Sequence, residues 1–295
     1  DLVINPGIFF KVSTVTTIVA GTIFLMWLGE QITARGIGNG ISLIIMAGIV
    51  AELPAALVST LELGKTGALS GLLIIFFLLL AVLVIGFIVF MERGQRRIII
   101  QYPKRQVGMK VMQGQSSHLP LKINTAGVIP PIFASSILLL PVTALSINAG
   151  NGPDWLLGVT SLLGRGQPLY MLLYVSAIVF FAFFYTSVVF NAKDTADNIK
   201  NNGGFVPGIR PGDATAEYID FVLTRLTVIG SIYLSAVCLL PELLISRYAV
   251  PFYLGGTSLL IVVTVTMDTV AQVHSHLIAH QYEGLIKKAK LRGRF

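Results

Sequence analysis

Charge and cysteine are both scarce in this chain of 295 residues. Only 12% of the residues are Asp, Glu, Lys or Arg and 54% are hydrophobic, whereas a soluble globular domain carries about a quarter charged residues. So few charges would not cover a water-soluble surface, and the mean hydropathy is +0.80. Cys238 is the single cysteine, which excludes an intrachain disulfide and a four-thiolate metal site and argues against redox chemistry. The composition predicts an integral membrane protein.

Seven apolar runs are long enough to cross the roughly 30 Å hydrocarbon core of a bilayer. They lie near residues 8–29, 38–57, 71–91, 124–147, 168–190, 222–245 and 251–273. Pro130, Pro131 and Pro141 interrupt the fourth run, which predicts a kinked helix beside protein or a water-filled cavity. The expected fold class is an all-α polytopic membrane protein with a single membrane domain over residues 1–295. The chain opens at Asp1 without a basic n-region or cleavage-site pattern, so we expect a fragment or processed product without a signal peptide.

Basic residues fall unevenly on the two sides of the predicted spans. If the N-terminus lies outside, 17 of the 21 Lys and Arg residues lie on the cytoplasmic side, and the other four are Lys11, Lys65, Arg165 and Arg247. Because Lys and Arg are enriched in cytoplasmic loops, loops 92–123 and 191–221 and the tail 274–295 are predicted to be cytoplasmic. The net charge of +7 would then face anionic lipid or phosphate-rich partners on that side.

Two of these loops carry features beyond topology. In the first, apolar and polar residues alternate over residues 97–102, which predicts a short β-hairpin. In the second, turn signals on both sides of Arg210 predict a stiff excursion with one cation at its tip. Basic residues with Tyr102 among them suit rRNA phosphates or an acidic protein surface, although juxtamembrane Lys and Arg also serve simply to fix topology.

Candidates for catalysis or metal binding are few. Glu52 and Asp268 are carboxylates near the ends of spans, and neither has a second carboxylate or His spaced to act with it, so we expect interfacial or helix-bonded groups. His274, His276 and His280 follow the last span, and the last two would share a helical face. No acidic third ligand lies near them, so we expect interfacial histidines and no metal site. No glycine cluster matches a phosphate loop, and no cofactor is expected.

Five motifs occur in order along nearly the whole chain. They are Gly36-Ile37-Gly38-Asn39-Gly40-Ile41-Ser42, Glu92-Arg93-Gly94-Gln95-Arg96-Arg97, Ala126-Gly127-Val128-Ile129-Pro130, Phe205-Val206-Pro207-Gly208-Ile209-Arg210-Pro211-Gly212 and Gly255-Gly256-Thr257-Ser258-Leu259-Leu260-Ile261. Together they closely resemble the SecY family, whose members form the channel subunit of the bacterial protein-conducting translocon. In the first motif, Asn39 and Ser42 are also expected to cap the second span.

The resemblance implies a ten-helix channel of two inverted five-helix halves around an hourglass pore that also opens sideways to lipid. This chain matches from the fourth helix onward, so we expect it to lack three spans, including the plug-bearing helix and the opposing part of the lateral gate, and not to seal a channel alone. The implied function is passive. Unfolded secretory polypeptides would cross a bacterial inner membrane, and transmembrane segments would leave sideways, driven by SecA or the ribosome.

The resemblance also implies roles for particular residues. A pore ring of aliphatic side chains, which seals by dewetting, falls on Ile41, Ile45, Ile132 and Ile261. The lateral gate, where a signal sequence would intercalate, falls on Asn124, Pro130, Ser135 and Ser136. Docking of SecA and of ribosomal RNA falls on Arg210, Arg93, Arg96, Arg97, Lys104, Arg105 and Lys110, although Met109 stands where a second basic residue is expected. The implied partners are SecE, SecG, SecA, the ribosome, signal sequences, nascent polypeptides and membrane lipid.

Two other functions stay open from the residues alone. A secondary transporter of small solutes would also have inverted repeats and broken helices, but it would normally bury coupling charges at mid-membrane, and this sequence places none there. An intramembrane enzyme would need a paired acid and base, or a metal triad, within the spans. Activity that survives mutation of Asp268 and of the three histidines would exclude the enzyme.

Overall fold

The computed structural model describes residues 7–66, 70–103, 105–107, 110–112, 116–148, 164, 166–248 and 256–292. Eight α-helices and four β-strands lie in these ranges. In chain order they are α1 (Ile8–Arg35), α2 (Gly40–Lys65), α3 (Gly71–Arg93), β1 (Gln95–Gln101), β2 (Arg105–Val107), β3 (Lys110–Met112), β4 (Ser116–Lys122), α4 (Ile129–Asn148), α5 (Pro168–Val189), α6 (Ala192–Asn201), α7 (Asp213–Tyr248) and α8 (Gly256–Arg292).

The long helices occupy the positions of the seven predicted spans. Six of the described helices are long and apolar enough to cross a membrane by length and composition. The fourth predicted span corresponds to α4, whose apolar part, Ile129–Pro141, is shorter. The prediction of a polytopic helical membrane protein is therefore confirmed, with a small β element in addition.

Proline placement in α4 corrects the sequence prediction. The helix begins at Ile129 rather than near residue 124, so Pro130 and Pro131 lie in its first turn. The N–H groups of a first turn have no partner within the helix, so a missing N–H is tolerated there. These two prolines therefore do not interrupt the span, and of the three only Pro141 lies inside it.

Helices α7 and α8 extend beyond the predicted spans. Hydropathy placed the start of the sixth span near residue 222, but α7 begins at Asp213. Its first turns are amphipathic, because Thr215, Ile219 and Leu223 repeat every four residues and are all buried. A hydropathy window does not detect such turns. Likewise, α8 continues through the predicted tail to Arg292.

The chain divides into two compact units, each with its own packing. The first comprises Asp1–Ala55 and Ile261–Phe295, and the second comprises Ala56–Leu260. In the first unit, α1 and α2 approach closely at two glycines, since a Cβ added to Gly40 would overlap the carbonyl oxygen of Gly29. Nothing in the sequence pattern indicated this division of the predicted single membrane domain.

The helices of the second unit pack through aromatic and aliphatic side chains. Helix α4 packs on α5, where the rings of Phe133 and Phe181 stack with centroids 5.8 Å apart, and α5 packs on α7. Helix α3 contacts α7, with the ring of Phe87 edge-on to that of Tyr233 at 5.8 Å. Many large apolar side chains remain exposed, Leu72 at 79% among them, which suits helices whose outer faces meet lipid.

A β-hairpin and two helix segments form a small core at one end of the second unit. Strands β1 and β4 pair antiparallel from Gln95 opposite Lys122 to Gln101 opposite Ser116, and β2 and β3 form a shorter antiparallel pair. The hairpin prediction is thus confirmed, with longer strands than expected. The buried core residues are Ile98, Ile100, Leu121, Ile199, Val206, Ile219 and Leu223. We call β1, β4, α6, residues 202–212 and α7 up to Leu223 the cap.

Candidate functional site

The two loops that the sequence presents separately are joined within the cap. The backbone N–H of Gln101 donates to the Phe205 carbonyl at 2.9 Å, and the N–H of Phe205 donates back to Gln101 at 3.0 Å. The loop containing Gly204 can approach the hairpin this closely because glycine has no side chain. A Cβ at position 204 would lie 2.9 Å from the Tyr102 ring and 3.0 Å from the Ile100 side chain. The loops 92–123 and 191–221 therefore present one folded surface.

The predicted docking residues of this surface are exposed. Arg96 and Arg97 precede the buried Ile98 on β1, and Arg93 ends α3. Arg210 is exposed in a loop where Gly208 (φ 85°) adopts a left-handed backbone conformation that favours glycine. The loop is stiffened where the Thr215 hydroxyl donates to the Arg210 carbonyl at 2.8 Å. The hydrogen bond holds the backbone at Arg210 to the start of α7.

The remaining docking candidates are only partly described. Lys104 lies outside the described residues, and Arg105 and Lys110 are described as backbone positions on β2 and β3. The cap also carries acidic residues, with Asp194, Asp213 and Glu217 exposed on its two helices. Its surface is therefore of mixed charge, with exposed basic side chains on the hairpin, at Arg210 and, as Lys193 and Lys200, on α6.

The segment before α4 is held by a buried amide. Asn124 is 4% exposed, and its side-chain N–H₂ group donates to a carboxylate oxygen of Glu92 at 2.7 Å and to the carbonyl of Gly127 at 3.1 Å. The Tyr233 hydroxyl approaches the same Glu92 oxygen at 3.5 Å. Asn124, a predicted gate residue, therefore lies inside a polar contact between helices and not on a free helix face.

Sequence reasoning missed Glu92 and Tyr233. The sequence signal for this contact is Glu92 itself, because a carboxylate in the last turn of an apolar helix is disfavoured by the negative end of the helix dipole. That anomaly pointed to a partner, but the partner, Asn124, is 32 residues further along the chain.

The other predicted gate residues lie on α4. Pro130 is fully buried in its first turn, so it gives no hinge in the middle of the helix. The hydroxyls of Ser135 and Ser136 both donate to the Ile132 carbonyl, at 2.9 and 2.8 Å, which leaves their small side chains apolar in outline. Ser136 is exposed and Ser135 is half-buried, so the small side chain of Ser136 leaves room for the close approach of another helix.

The predicted ring residues are divided between the two units. Ile41 and Ile45 lie one turn apart on α2 and are 46% and 41% exposed. Ile261, also in the first unit, is 6% exposed, and Ile132 is half-buried on α4 of the second unit. The exposed pair has the surface that a pore-facing role needs, while the side chain of Ile261 is covered in this conformation.

The turn before Ile41 is fixed within the first unit. The side-chain carbonyl of Asn39 accepts from the N–H groups of Ile41 and Ser42 at 3.1 and 3.4 Å, which confirms the predicted cap by Asn39. The N–H of Gly38 donates to the side-chain carbonyl of Gln272 on α8 at 2.7 Å. This hydrogen bond connects the turn before α2 to α8.

The histidines after the last predicted span and the carboxylates of Glu52 and Asp268 lie on exposed surfaces of their helices wherever the structure describes their side chains. His274 and His276 are exposed on α8, and the side chain of His280 lies outside the described part. Glu52 and Asp268 are both exposed, and they lie near the middle of α2 and of the apolar part of α8, not near the span ends that the sequence predicted, because both helices extend beyond the predicted spans. In the described part of the chain, no three His, Cys, Asp or Glu side chains are placed to hold a metal ion.

Apolar membrane-crossing helices with a folded cap at one end define a multi-pass α-helical membrane protein. The SecY family model matches residues 2–270. The chain therefore belongs to the SecY family.

Several named relatives are similar in sequence to nearly the full chain. It is 57% identical over 293 residues to the protein translocase subunit SecY of Escherichia coli K12 and 57% identical over 296 residues to that of Vibrio cholerae. The identity to the Rickettsia bellii subunit is 53% over 291 residues. Each match covers 99% of this chain, and the chain spans 66% of the length of the first two relatives and 67% of the third.

Solved structures share the fold. One, described as the structure of a protein conducting channel, matches with a TM-score of 0.57 at 19% identity, over 88% of this chain and 64% of that one. Another, described by the role of the SecY plug domain in stabilising the closed translocation channel, matches with a TM-score of 0.55 at 20% identity and the same coverage.

Proposed function

We propose that this chain is part of the central subunit of a channel that moves unfolded secretory polypeptides across a bacterial inner membrane and releases transmembrane segments into the lipid. The observation that carries the proposal is the match to the SecY family along residues 2–270, combined with six helices in the described part of the chain that are long and apolar enough to cross a membrane. The relatives at 57% identity are named as protein translocase subunits, which supports the same activity for this chain.

The proposed channel is passive and makes or breaks no bond. A transporter would need ionisable groups at mid-membrane to couple to an ion. Glu92 lies in the last turn of α3, but Glu52 and Asp268 are exposed near the middle of α2 and of the apolar part of α8. It is the match to the SecY family, and not the placement of carboxylates, that favours a channel over a transporter. Free energy for movement would come from the ATP-hydrolysing SecA or from chain elongation on the ribosome, and no cofactor is required.

We place the seal of the channel at a ring of aliphatic side chains formed by Ile41, Ile45, Ile132 and Ile261. Such side chains offer nothing to replace an ion's hydration shell, so a narrow ring excludes ions by dewetting yet yields to an extended peptide. The exposure of Ile41 and Ile45 supports this role. Ile261 would have to be uncovered when the ring forms.

The sideways exit uses α4 and the face that carries Ser135 and Ser136. A signal sequence is a short apolar helix, so it would exchange lipid contacts for helix contacts there at little net cost in free energy. Small side chains at this face support close packing. Asn124 and Pro130 contribute from the start of α4, by fixing it and not by lining the exit.

The cap would face the cytoplasm and dock SecA or the ribosome. The exposed Arg96, Arg97 and Arg210 of the cap support this role, as does the exposed Arg93 at the adjoining end of α3. Lys104, Arg105 and Lys110 belong to the segment between β1 and β4. Because Lys and Arg favour cytoplasmic loops, this orientation also agrees with the charge distribution. SecE and SecG are the proposed partners within the membrane.

The test is SecA-driven, ATP-dependent import of a secretory precursor by the full-length protein reconstituted with SecE and SecG in liposomes. Arg210→Glu should abolish import while the protein stays inserted, and Lys65→Glu, an exposed charge reversal at the end of α2, should not. If no precursor crosses but a small solute accumulates against its gradient, the channel must be abandoned for a transporter.

A further inference from the structure

Glu92 ties the start of α4 to α3 and α7. We propose that it is a positioning residue that holds α4, the proposed exit helix, in place and so sets how readily the exit opens without a signal sequence. This inference rests on the proposed function and adds a residue to it. Three observations in the second unit carry it.

The first observation is the position of the carboxylate. Glu92 is the last residue but one of α3, where the negative end of the helix dipole disfavours an anion. It is also half-buried, and partial removal from water further disfavours a charge unless donors compensate. A carboxylate kept at such a position needs hydrogen-bond donors, and the 2.7 Å contact from the Asn124 amide supplies one.

The second observation is the form of the segment between β4 and α4. Residues 123–128 are not helical, and Gly127 has a φ of 65°. One amide nitrogen of Asn124 binds both Glu92 and the Gly127 carbonyl, so it links α3 to the turn that enters α4. The side-chain oxygen of Asn124 has no donor among the described residues. The amide nitrogen therefore makes the attachment.

The third observation is that α7 closes over this segment. A Cβ on Gly230 would lie 2.8 Å from the Ile123 carbonyl oxygen, so only glycine allows this approach. Tyr233 is three residues further along the same helical face, with its hydroxyl 3.5 Å from Glu92 and its ring against Phe87 of α3. The tie is therefore packed between two helices, with the Asn124 side chain buried and Glu92 half-buried.

Movement of the start of α4 away from α3 has to break this tie. Glu92 would then lose its short bond from Asn124 while it remained at the end of an apolar helix. A hydrogen bond to a charged group contributes enough to shift a two-state equilibrium by about tenfold or more. Loss of the tie should therefore raise the fraction of channels whose exit is open without a signal sequence.

The experiment compares two precursors in the reconstituted full-length channel, one with an intact signal sequence and one with a weakened one. Glu92→Leu and Asn124→Leu should raise the ratio of weakened to intact transport about tenfold. Glu92→Gln keeps an acceptor oxygen without the charge, so it should keep about half of the free energy of the bond and raise the ratio only about threefold. Glu62→Leu removes an exposed carboxylate in the last turns of α2 and is the matched control.

A ratio unchanged in both inserted Leu variants would overturn the inference, and so would a Gln variant that behaves like Leu. If the Leu variants do not insert, Glu92→Asp decides, because it keeps the charge but is one methylene too short to reach the amide and should also raise the ratio. A wild-type channel that fails with the intact precursor would refute the proposed function itself, which separates the two failures.

Discussion

Replacing Ile100 with alanine should loosen both loops of the cap together. Ile100 is 4% exposed and belongs to a core that also contains Ile199, Val206 and Ile219. These residues come from the hairpin, from α6, from the loop before α7 and from α7 itself. A cavity at Ile100 would therefore weaken packing across all four segments, although the substitution lies in only one of them.

The size of the effect follows from the buried volume. Truncation of a buried Ile to Ala costs about 2–5 kcal/mol, as transfer free energy and cavity formation combined. The neighbouring Ile99 points to the other face of the strand and is 48% exposed, so the same truncation there should cost about 0.5 kcal/mol or less. Because each 1.4 kcal/mol is a factor of ten, local opening of the cap should rise at least about 30-fold for Ile100→Ala.

Hydrogen exchange followed by mass spectrometry, on the full-length protein in nanodiscs, measures this opening. The informative amides are those of Gln101 and Phe205, which bond each other's carbonyls, and that of Gly204, which donates to the Ile199 carbonyl at 2.8 Å. All three should lose protection in Ile100→Ala and keep it in Ile99→Ala. The pair of variants holds residue type, strand and neighbourhood constant and changes only burial.

One result would refute the reasoning. If Ile100→Ala speeds exchange only in the hairpin and leaves residues 199–206 as protected as in the wild type, the two loops do not share a cooperative core. Equal loss in both variants would point instead to general fraying of the hairpin. Either outcome would leave Arg210 without a mechanical link to the hairpin arginines.

Two further predictions concern the first unit. Gly40→Ala should destabilise the protein by about 1–3 kcal/mol, because the added Cβ has no space beside Gly29. Gly48 has open space around it, so Gly48→Ala should be neutral or stabilising by up to about 1 kcal/mol. Thermal unfolding in detergent compares the two variants. Gln272→Leu should speed amide exchange of Gly38 several-fold because it removes the acceptor 2.7 Å away, and Gln272→Glu, which keeps an oxygen there, should not. Unchanged exchange in the Leu variant would contradict the tie between α2 and α8.

The elements that the sequence predicted correctly are those determined by neighbouring residues. Apolar runs located the membrane helices because bilayer thickness fixes their length. Alternation over residues 97–102 located the hairpin because side chains of a strand alternate between two faces. The cap at Asn39 was likewise predictable, since an Asn side chain bonds the N–H groups two and three residues ahead.

Boundaries failed where the local signal and the tertiary environment differ. Pro130 and Pro131 were expected to interrupt a span because proline removes a backbone donor. A helix that begins at Ile129 places them where no donor is needed. Helix α7 begins before the apolar run that the sequence shows, because its first turns bury side chains against protein and not against lipid. Ile219 lies in the cap core, and Thr215, one turn earlier, is also buried.

The candidate site was the least predictable part, because its contacts join distant segments of the chain. Asn124 was assigned to a gate by its place beside a motif, but no local rule pairs it with Glu92, 32 residues earlier. The pairing of Gln101 with Phe205 is also invisible locally, since it depends on two loops that leave different helices. A carboxylate at the wrong end of a helix dipole is the one local signal that remained unused. Such an anomaly in an apolar helix indicates a partner elsewhere in the chain, even when the sequence does not identify it.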